Sequence, residues 1–343
     1  MSHEIEGSNM VWASEPAWHG LGTQLDSDAS GVEWMKAANL DWEVKRMPMF
    51  VTLPNGEHTN VTGKSGGEHA VLVRDRGTNE FAPEDVFGPV GPDWTPVQNE
   101  EVFKYMDKFC KAGGMKMETA GSLKGGTEIW ALAKFRDDFD IIPGDTMKGY
   151  LLFHNAHVQG KGNQLKLTPI RVVCNNTLTM ALGRDSKSAF RMPHIRAFDE
   201  EVQNKATEAL GLADEQLDDF QEQVTFLSKK KANDDDVQEF IARLYQPKLV
   251  AERLKNPSSA TLHEEFSPSS ETVYEAMSLA PGADLKGSKG TWWGALNGAT
   301  YFEDHMRLSY SDQSNILAST WLGGGARRKE QAFAMATAYA QAA

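Results

Sequence analysis

The residues best suited to bind a ligand are eight basic side chains between positions 147 and 198, a stretch in which Asp185 is the one acid. Lysine and arginine form charge-assisted hydrogen bonds with phosphate groups. Binding of a single strand without sequence preference needs such cations together with faces on which bases stack, and Phe153, His154 and Phe190 offer such faces. We name residues 147–198 the basic segment and interpret it as an anion site. Its cations are Lys148, Lys161, Lys166, Arg171, Arg184, Lys187, Arg191 and Arg196.

The acidic character of the remaining chain leaves a second interpretation open. The protein carries a formal net charge of −13, although the basic segment alone carries +7. A basic island inside an acidic protein is typical of a localised anion site and is unlike a charged tail. The alternative is that these cations pair with carboxylates of the neighbouring acidic segments, and the sequence favours neither interpretation.

The middle of the basic segment combines a strand pattern with a helix start. Leu165–Cys174 alternates like a strand, and the polar residues after it are of the types that cap helices. Free backbone N–H groups at a helix N-terminus attract anions, so we predict a short helix that ends at Gly183 and binds phosphate at its start. His194 lies further along the same surface in this interpretation. The alternative is a helix cap without any ligand. The capping residues are Asn175, Asn176 and Thr177.

A second basic group follows Gly323–Gly325 at the predicted start of the last helix. Cations at a helix N-terminus oppose the helix dipole by about 0.3–1 kcal/mol each. They therefore either pair with acids elsewhere, bind an anionic partner, or remain solvated. We include them in the predicted nucleic-acid surface: Arg327, Arg328 and Lys329.

Motifs for covalent chemistry are weak throughout the sequence. Residues 63–65 match the end of a phosphate-binding loop, but the required earlier glycine is His58. His154 and His157 have metal-ligand spacing without a second ligand pair. Two groups of aspartates fit loops and a helix start better than a nuclease site, namely 137–145 and 234–236. We predict a protein that is not an enzyme and uses no cofactor or metal.

Composition indicates a protein of the bacterial cytoplasm with no membrane role. Cys110 and Cys174 are too few and too far apart to form a disulfide framework. No apolar run approaches the roughly 20 residues that span a bilayer. The expected location is therefore the cytoplasm of a bacterial host cell.

The order of secondary-structure signals predicts an α+β fold. The first half reads as antiparallel strands with a few helices, and the second half reads as helical. Ser30 begins a capping box, Asn99 caps a second helix, and Thr291 caps a later one. We predict a β-rich domain over residues 1–198, which contains the basic segment, and a helical domain over 199–343.

Several segments in fixed order resemble one family. They run from residues 17–23 through 98–100 and 118–123 to 171–178 and 290–293, followed by Asn297 and residues 304–305. Together they are similar to the phage/plasmid-like proteins catalogued as domain of unknown function 932. Residues 191–195 depart from the family pattern, which has a threonine where Ile195 stands. The resemblance implies a phage or plasmid setting and no particular activity.

These observations predict a non-catalytic phage protein that binds and anneals single-stranded DNA in recombination or replication. The expected assembly is a homo-oligomeric ring or filament, which by analogy of fold looks like the ring-forming phage annealing proteins. A host recombination or replication protein is a further expected partner. The alternative is an acidic adaptor or inhibitor that binds a host protein. The DNA interpretation predicts that Arg171→Ala with Arg184→Ala weakens binding and leaves the melting temperature unchanged.

Overall fold

The computed structural model describes residues 10–14, 22–64, 66–78, 80–171, 173, 176–177, 180–181, 191–192, 194, 200–258, 260–307 and 313–342. The chain forms two compact units that are not continuous in sequence. The first unit consists of Met1–Phe135, Leu151–Lys166 and Ala181–Leu212. The second consists of Arg136–Tyr150, Leu167–Met180 and Ala213–Ala343.

The strands concentrate in the first 192 residues, as the sequence predicts. They are β1 Met10–Trp12, β2 Thr23–Gln24, β3 Glu43–Pro48, β4 Phe50–Thr52, β5 His58–Asn60, β6 Ala70–Asp75, β7 Val86–Val90, β8 Lys116–Leu123, β9 Glu128–Lys134, β10 Phe139–Ile142, β11 Asp145–Ala156, β12 Asn163–Arg171, β13 Asn176–Thr177, β14 Met180–Ala181 and β15 Arg191–Met192. The main sheet has the order β13-β12-β11-β9-β8-β1-β2, with β10 paired to β11 and with β14 and β15 paired to β12. Smaller sheets join β3-β6-β7 and β4-β5.

Two helices lie among the strands and the other described helices follow them, which confirms the α+β class. They are α1 Gly31–Ala37, α2 Asn99–Gly113, α3 Glu200–Lys229, α4 Asp234–Tyr245, α5 Pro247–Lys255, α6 Pro268–Leu279, α7 Trp292–Tyr301, α8 Gln313–Leu322 and α9 Gly324–Ala342. A five-residue π-helix, Phe302–Met306, continues α7. Within the described part of the chain, no helix is both long and apolar enough to cross a membrane.

The first unit has a core of aromatic and aliphatic side chains between its helices and sheets. Helix α2 packs against α1, β8 and β9. Trp34, Phe103, Trp130 and Phe153 are almost fully buried there, and burial of each such side chain contributes roughly 2–3 kcal/mol. This core fixes the ends of β9 and β11, which carry the first candidate site.

The second unit is built around α7, which is buried along most of its length. Helices α6 and α9 pack against it. The approach of α6 depends on Gly298, because a Cβ there would lie 2.4 Å from the Met277 side chain. Gly294 likewise leaves room for the carbonyl of Ser288. Helix α7 therefore holds Trp293 and the following π-helix in fixed positions.

Local signals at helix starts give two confirmed predictions and one wrong one. Ser30 forms the predicted capping box with Glu33, and the Thr291 side chain caps α7. Asn99 is instead the first helical residue, and Gln98 occupies the capping position. The side-chain amide of Asn99 has another partner, because its Nδ2 donates to the carbonyl of Leu40.

The predicted helix after Thr177 is also wrong where the structure describes the chain. Asn176–Thr177 forms β13, which pairs with Ile170 and Arg171 of β12, and residues 180–181 form β14. The backbone amide of Thr177, which a helix start would leave free, donates to the carboxylate of Asp304. Residues 176–177 therefore offer no helix dipole to an anion.

Candidate functional site

The basic segment folds back onto one strand of the main sheet. In the first unit, β15 pairs with β12, so the backbone of Arg191 lies opposite Gln164 and that of Met192 opposite Asn163. Lys166 is two residues from Gln164 on the same strand, and both side chains are half-buried. Two stretches of basic sequence therefore meet at one strand of the first unit.

Two turns at one end of the sheet in the first unit bring ionisable groups together. Residues 124–126 connect β8 to β9, residues 157–162 connect β11 to β12, and the His157 amide donates to the carbonyl of Thr127 (2.7 Å). We name Lys124, Glu128, His154 and Lys161 the turn cluster. Glu128 is the first residue of β9, and His154 lies two residues before the end of β11. Lys124 lies in the first turn and Lys161 lies in the second.

The first of these turns is left-handed. Lys124, Gly125 and Gly126 have φ of +52°, +64° and +93°. A side chain at positive φ costs roughly 1–2 kcal/mol, and Lys124 bears that cost. The turn is held by Arg74, whose Nη1 donates to the Gly125 carbonyl (3.1 Å), and by Thr127, whose Oγ1 donates to the Lys124 carbonyl (3.0 Å).

Glu128 is the centre of the turn cluster. Its side chain is 1% exposed, whereas those of Lys124 and Lys161 are 36% and 40% exposed. Oε1 accepts hydrogen bonds from Lys124 Nζ (2.9 Å) and from Lys161 Nζ, and Oε2 accepts one from His154 Nε2 (3.1 Å). Burial alone would raise the pKa of Glu128, but these three donors outweigh it and hold the pKa well below the usual range.

Histidines near the turn cluster are buried and neutral. Burial lowers the pKa of His154, and the charges of Lys166 and Lys161 lower it further, against the opposing effect of Glu128. Burial likewise lowers the pKa of His157 to about 3 and that of His194 to about 4. The imidazoles of His154, His157 and His194 are therefore uncharged at neutral pH.

His194 is a predicted nucleic-acid contact that the structure contradicts. It is 3% exposed, its ring stacks on Trp94 with centroids 4.2 Å apart, and its Nδ1 donates to the carbonyl of Thr95 (3.1 Å). A side chain enclosed in this way does not reach a phosphate from solvent. His194 instead packs against Trp94 within the first unit.

Arg171, a second predicted contact, is buried in the second unit. It is 1% exposed and binds Asp145 through Nε (2.6 Å) and Nη2 (2.8 Å). Ser288 Oγ accepts a further bond from Arg171, and Trp293 Nε1 donates to Asp145 (2.8 Å). Arg171 is therefore neutralised inside the fold. A substitution there should lower the melting temperature, so the expectation that Arg171→Ala with Arg184→Ala leaves it unchanged is corrected.

Lys329 and Thr177 form another buried network in the second unit. Lys329 Nζ donates to Thr177 Oγ1 (2.7 Å) and to Asp304 Oδ1, and the Thr177 amide donates to Asp304 Oδ2 (2.7 Å). Burial lowers the pKa of Lys329, and the charges of Asp304 and Glu303 oppose that effect. Lys329 is 0% exposed and Thr177 is 3% exposed. Both predicted contacts are therefore wrong, because solvent does not reach them.

The remaining cations of α9 differ from Lys329. Arg328 binds the carboxylate of Glu303 with two hydrogen bonds, 2.7 and 2.9 Å, and Arg307 binds the same carboxylate. Burial raises the pKa of Glu303 despite these partners. Arg327 is exposed. The alternative in which acids of the fold neutralise this group holds for Arg328 and Lys329.

We name Asp145, Arg171, Thr177, Asp304 and Lys329 the buried charge cluster.

A small cavity adjoins this cluster within the second unit. Its volume is about 10 Å³, which is close to the space that one water molecule needs. Its lining includes the segments on which the family resemblance rests: Arg171, Thr177, Trp293 and Asn297. Residues from two family segments, together with Asn297, therefore meet around this cavity.

Several other predicted contacts stay accessible or lie outside the description. Lys148 and Lys166 are half-buried and Lys161 is half-exposed at the turn cluster. For Asn176 and Arg191 the structure describes the backbone alone. The predicted contacts Asn175, Arg184, Lys187 and Arg196 lie outside the described residues.

Among the described residues, no group of three histidine, cysteine, aspartate or glutamate side chains could hold a metal ion. Sequence reasoning missed Lys124 and Glu128, and it named Asp145 and Asp304 without their cationic partners. The one local signal was Lys124-Gly125-Gly126, which marks a turn. The partners of Asp145 and Asp304 carried no local signal, because Arg171 and Lys329 are more than 20 residues away along the chain.

Comparison with known proteins gives one match. A family model described as "Domain of unknown function (DUF932)" matches residues 86–338. No curated protein and no solved structure matches the chain.

Proposed function

We propose, from the premise that the chain belongs to the DUF932 family of unknown function, that the protein binds and anneals single-stranded DNA. It does so without catalysis, as a homo-oligomer in the cytoplasm of a bacterial host. A phage origin and a role in recombination or replication are parts of the same proposal. The phosphate contacts lie on the first unit.

The observation that carries the proposal is the pairing of β15 with β12. The first unit includes Leu151–Lys166 and Ala181–Leu212, and the β12–β15 pairing joins these two stretches. Lys161 and Lys166 lie in the first of these stretches, and the backbone of Arg191 lies in the second. Cations that are brought together in this way in an acidic protein attract a polyanion, because like charge repels it elsewhere. The sequence adds Arg184, Lys187 and Arg196 to the second stretch.

Fluorescence anisotropy with a labelled oligonucleotide tests the proposal. If about five phosphates are contacted, the plot of log affinity against log salt has a slope of about −3.5. A slope near zero, or no binding in 50 mM salt, contradicts a phosphate-based interaction.

Charge-removal variants locate the surface. Lys166→Ala with Arg191→Ala should weaken binding roughly tenfold and make the salt slope shallower by about 1.4. The matched control is Lys248→Ala with Lys255→Ala on α5, which removes two exposed cations of the second unit and should leave both quantities unchanged. Equal effects of the two pairs would point to net charge instead of a site.

Assembly and annealing need separate measurements. Mass photometry should show small species that become rings or filaments on a long single strand. Two complementary labelled oligonucleotides should anneal faster with the protein than without it. Binding without either effect reduces the proposal to strand binding alone.

Exposed acidic side chains on α3 favour the second candidate, an adaptor or inhibitor that binds a host protein. Asp214, Asp219 and Glu222 are exposed there, and a basic partner such as a DNA-binding protein would match them by charge. Affinity capture should then recover one stoichiometric host protein, and oligonucleotides should not compete.

A further inference from the structure

We propose that the turn cluster is a phosphate-binding subsite in which Lys124 and Lys161 contact the anion. The inference rests on the proposed function, in which the phosphate belongs to the DNA backbone. It extends that function to Lys124 and Glu128, neither of which lies in the basic segment.

The charge balance of the turn cluster separates it from ordinary ion pairs. Two ammonium groups share the single carboxylate of Glu128, and His154 is neutral, so these four side chains carry a net charge of +1. By contrast, the Lys45–Asp75 pair joins one cation to one carboxylate. A surplus cation at a partly exposed position attracts an anion, which a balanced pair does not.

The arrangement of burial directs that surplus outward. The Glu128 side chain is 1% exposed, while the two lysine side chains are more than one-third exposed. An anion that arrives from solvent therefore meets the two lysine side chains before the carboxylate. Because Glu128 already orders the lysines, binding requires less loss of side-chain freedom.

The left-handed turn is the second observation. Lys124 holds a positive φ that glycine or asparagine adopts more readily. Strain of this kind persists where the surroundings over-determine it, and it concentrates at ligand-binding sites. The turn aims the Lys124 ammonium at Glu128, beside that of Lys161. A purely structural turn would be served better by a residue without this strain.

Substitution of Lys124 separates a ligand role from a structural one. Lys124→Asn removes the charge and tolerates the left-handed conformation, so the melting temperature should stay equal or rise. Combined with Lys161→Gln, it should weaken protection by pyrophosphate in a thermal-shift titration at least tenfold. The control is Lys45→Gln, a half-exposed lysine of the same unit that also pairs with a carboxylate.

Oligonucleotide binding provides the second readout. Loss of two phosphate contacts should make the salt slope shallower by about 1.4 in the double variant and by about 0.7 in Lys161→Gln alone. The single variant keeps the Lys124–Glu128 bond, so it reports on the site even if the double variant folds poorly.

The outcomes distinguish the inference from the proposed function. An unchanged pyrophosphate titration and an unchanged salt slope in the variants overturn the subsite, even if the wild-type protein binds DNA. Pyrophosphate protection that the double variant loses, without any oligonucleotide binding by wild type, supports the subsite with free phosphate as its source. That second result would overturn the DNA function alone.

Discussion

The turn cluster of the first unit and the buried charge cluster of the second use the same residue types in opposite ways. In the first, two half-exposed lysines share one buried carboxylate. In the second, Arg171 and Lys329 are buried, and each has an aspartate of its own. The difference shows that a cation's role depends on its exposure and on how many carboxylates it meets.

The largest loss in the free energy of unfolding is expected where the substituted cation is fully buried. Arg171→Met leaves Asp145 buried beside Trp293 without its countercharge. Loss of one partner of a buried ion pair costs about 3–5 kcal/mol. Urea unfolding followed by circular dichroism should show this loss in the free energy of unfolding. A loss below about 1 kcal/mol would mean that Arg171 behaves like a surface cation.

Lys329 allows a test of the same idea with a rescue. Lys329→Met should cost about 3–5 kcal/mol, because Asp304 then stays buried without its cation. Adding Asp304→Asn removes the stranded charge and keeps an acceptor for the Thr177 amide. The double variant should recover most of the stability. If it is as unstable as the single variant, packing rather than charge holds this site together.

Acid should act on the first unit through its neutral histidines. His157 and His194 have pKa values of about 3 and about 4, below the ordinary 6.5. Because the folded-state values are lowered, their stabilisation is complete above pH 6.5 and is lost as the pH falls toward 4. Each contributes a slope of about 1.4 kcal/mol per pH unit in that window.

Unfolding in urea at several pH values between 7.5 and 4.5 measures that slope. His157→Gln should make it shallower, and His263→Gln serves as the control because His263 is half-exposed. An unchanged slope in His157→Gln would show that the histidine carries a proton in the folded state.

The smallest loss in the free energy of unfolding is expected for a substitution in the turn cluster. Lys161→Met should cost less than about 1 kcal/mol, because the pair is partly exposed and Lys124 and His154 still donate to Glu128. The same urea experiment measures it. A cost equal to that of Arg171→Met would erase the distinction between the two regions.

The fold class and several helix starts could be predicted because their signals are local. Ser30 and Glu33 are three residues apart, and Thr291 caps the helix that begins beside it. The predicted helix caps at Asn99 and Thr177 were wrong because distant residues bind their polar groups. The side chain of Asn99 binds Leu40 and His157, and the backbone amide of Thr177 binds Asp304. A capping residue looks the same in sequence whether or not tertiary contacts claim its side chain.

The sequence by itself determined that strands concentrate in the first half and helices in the second, that the chain belongs to the DUF932 family, and that positive charge concentrates in one segment. The tertiary structure decided which of those charges remain accessible. Thr177 and Lys329 are 152 residues apart and share a hydrogen bond, and Arg171 meets Ser288 across 117 residues. Burial and countercharge arise from such long-range contacts, whereas local patterns record residue type and spacing alone.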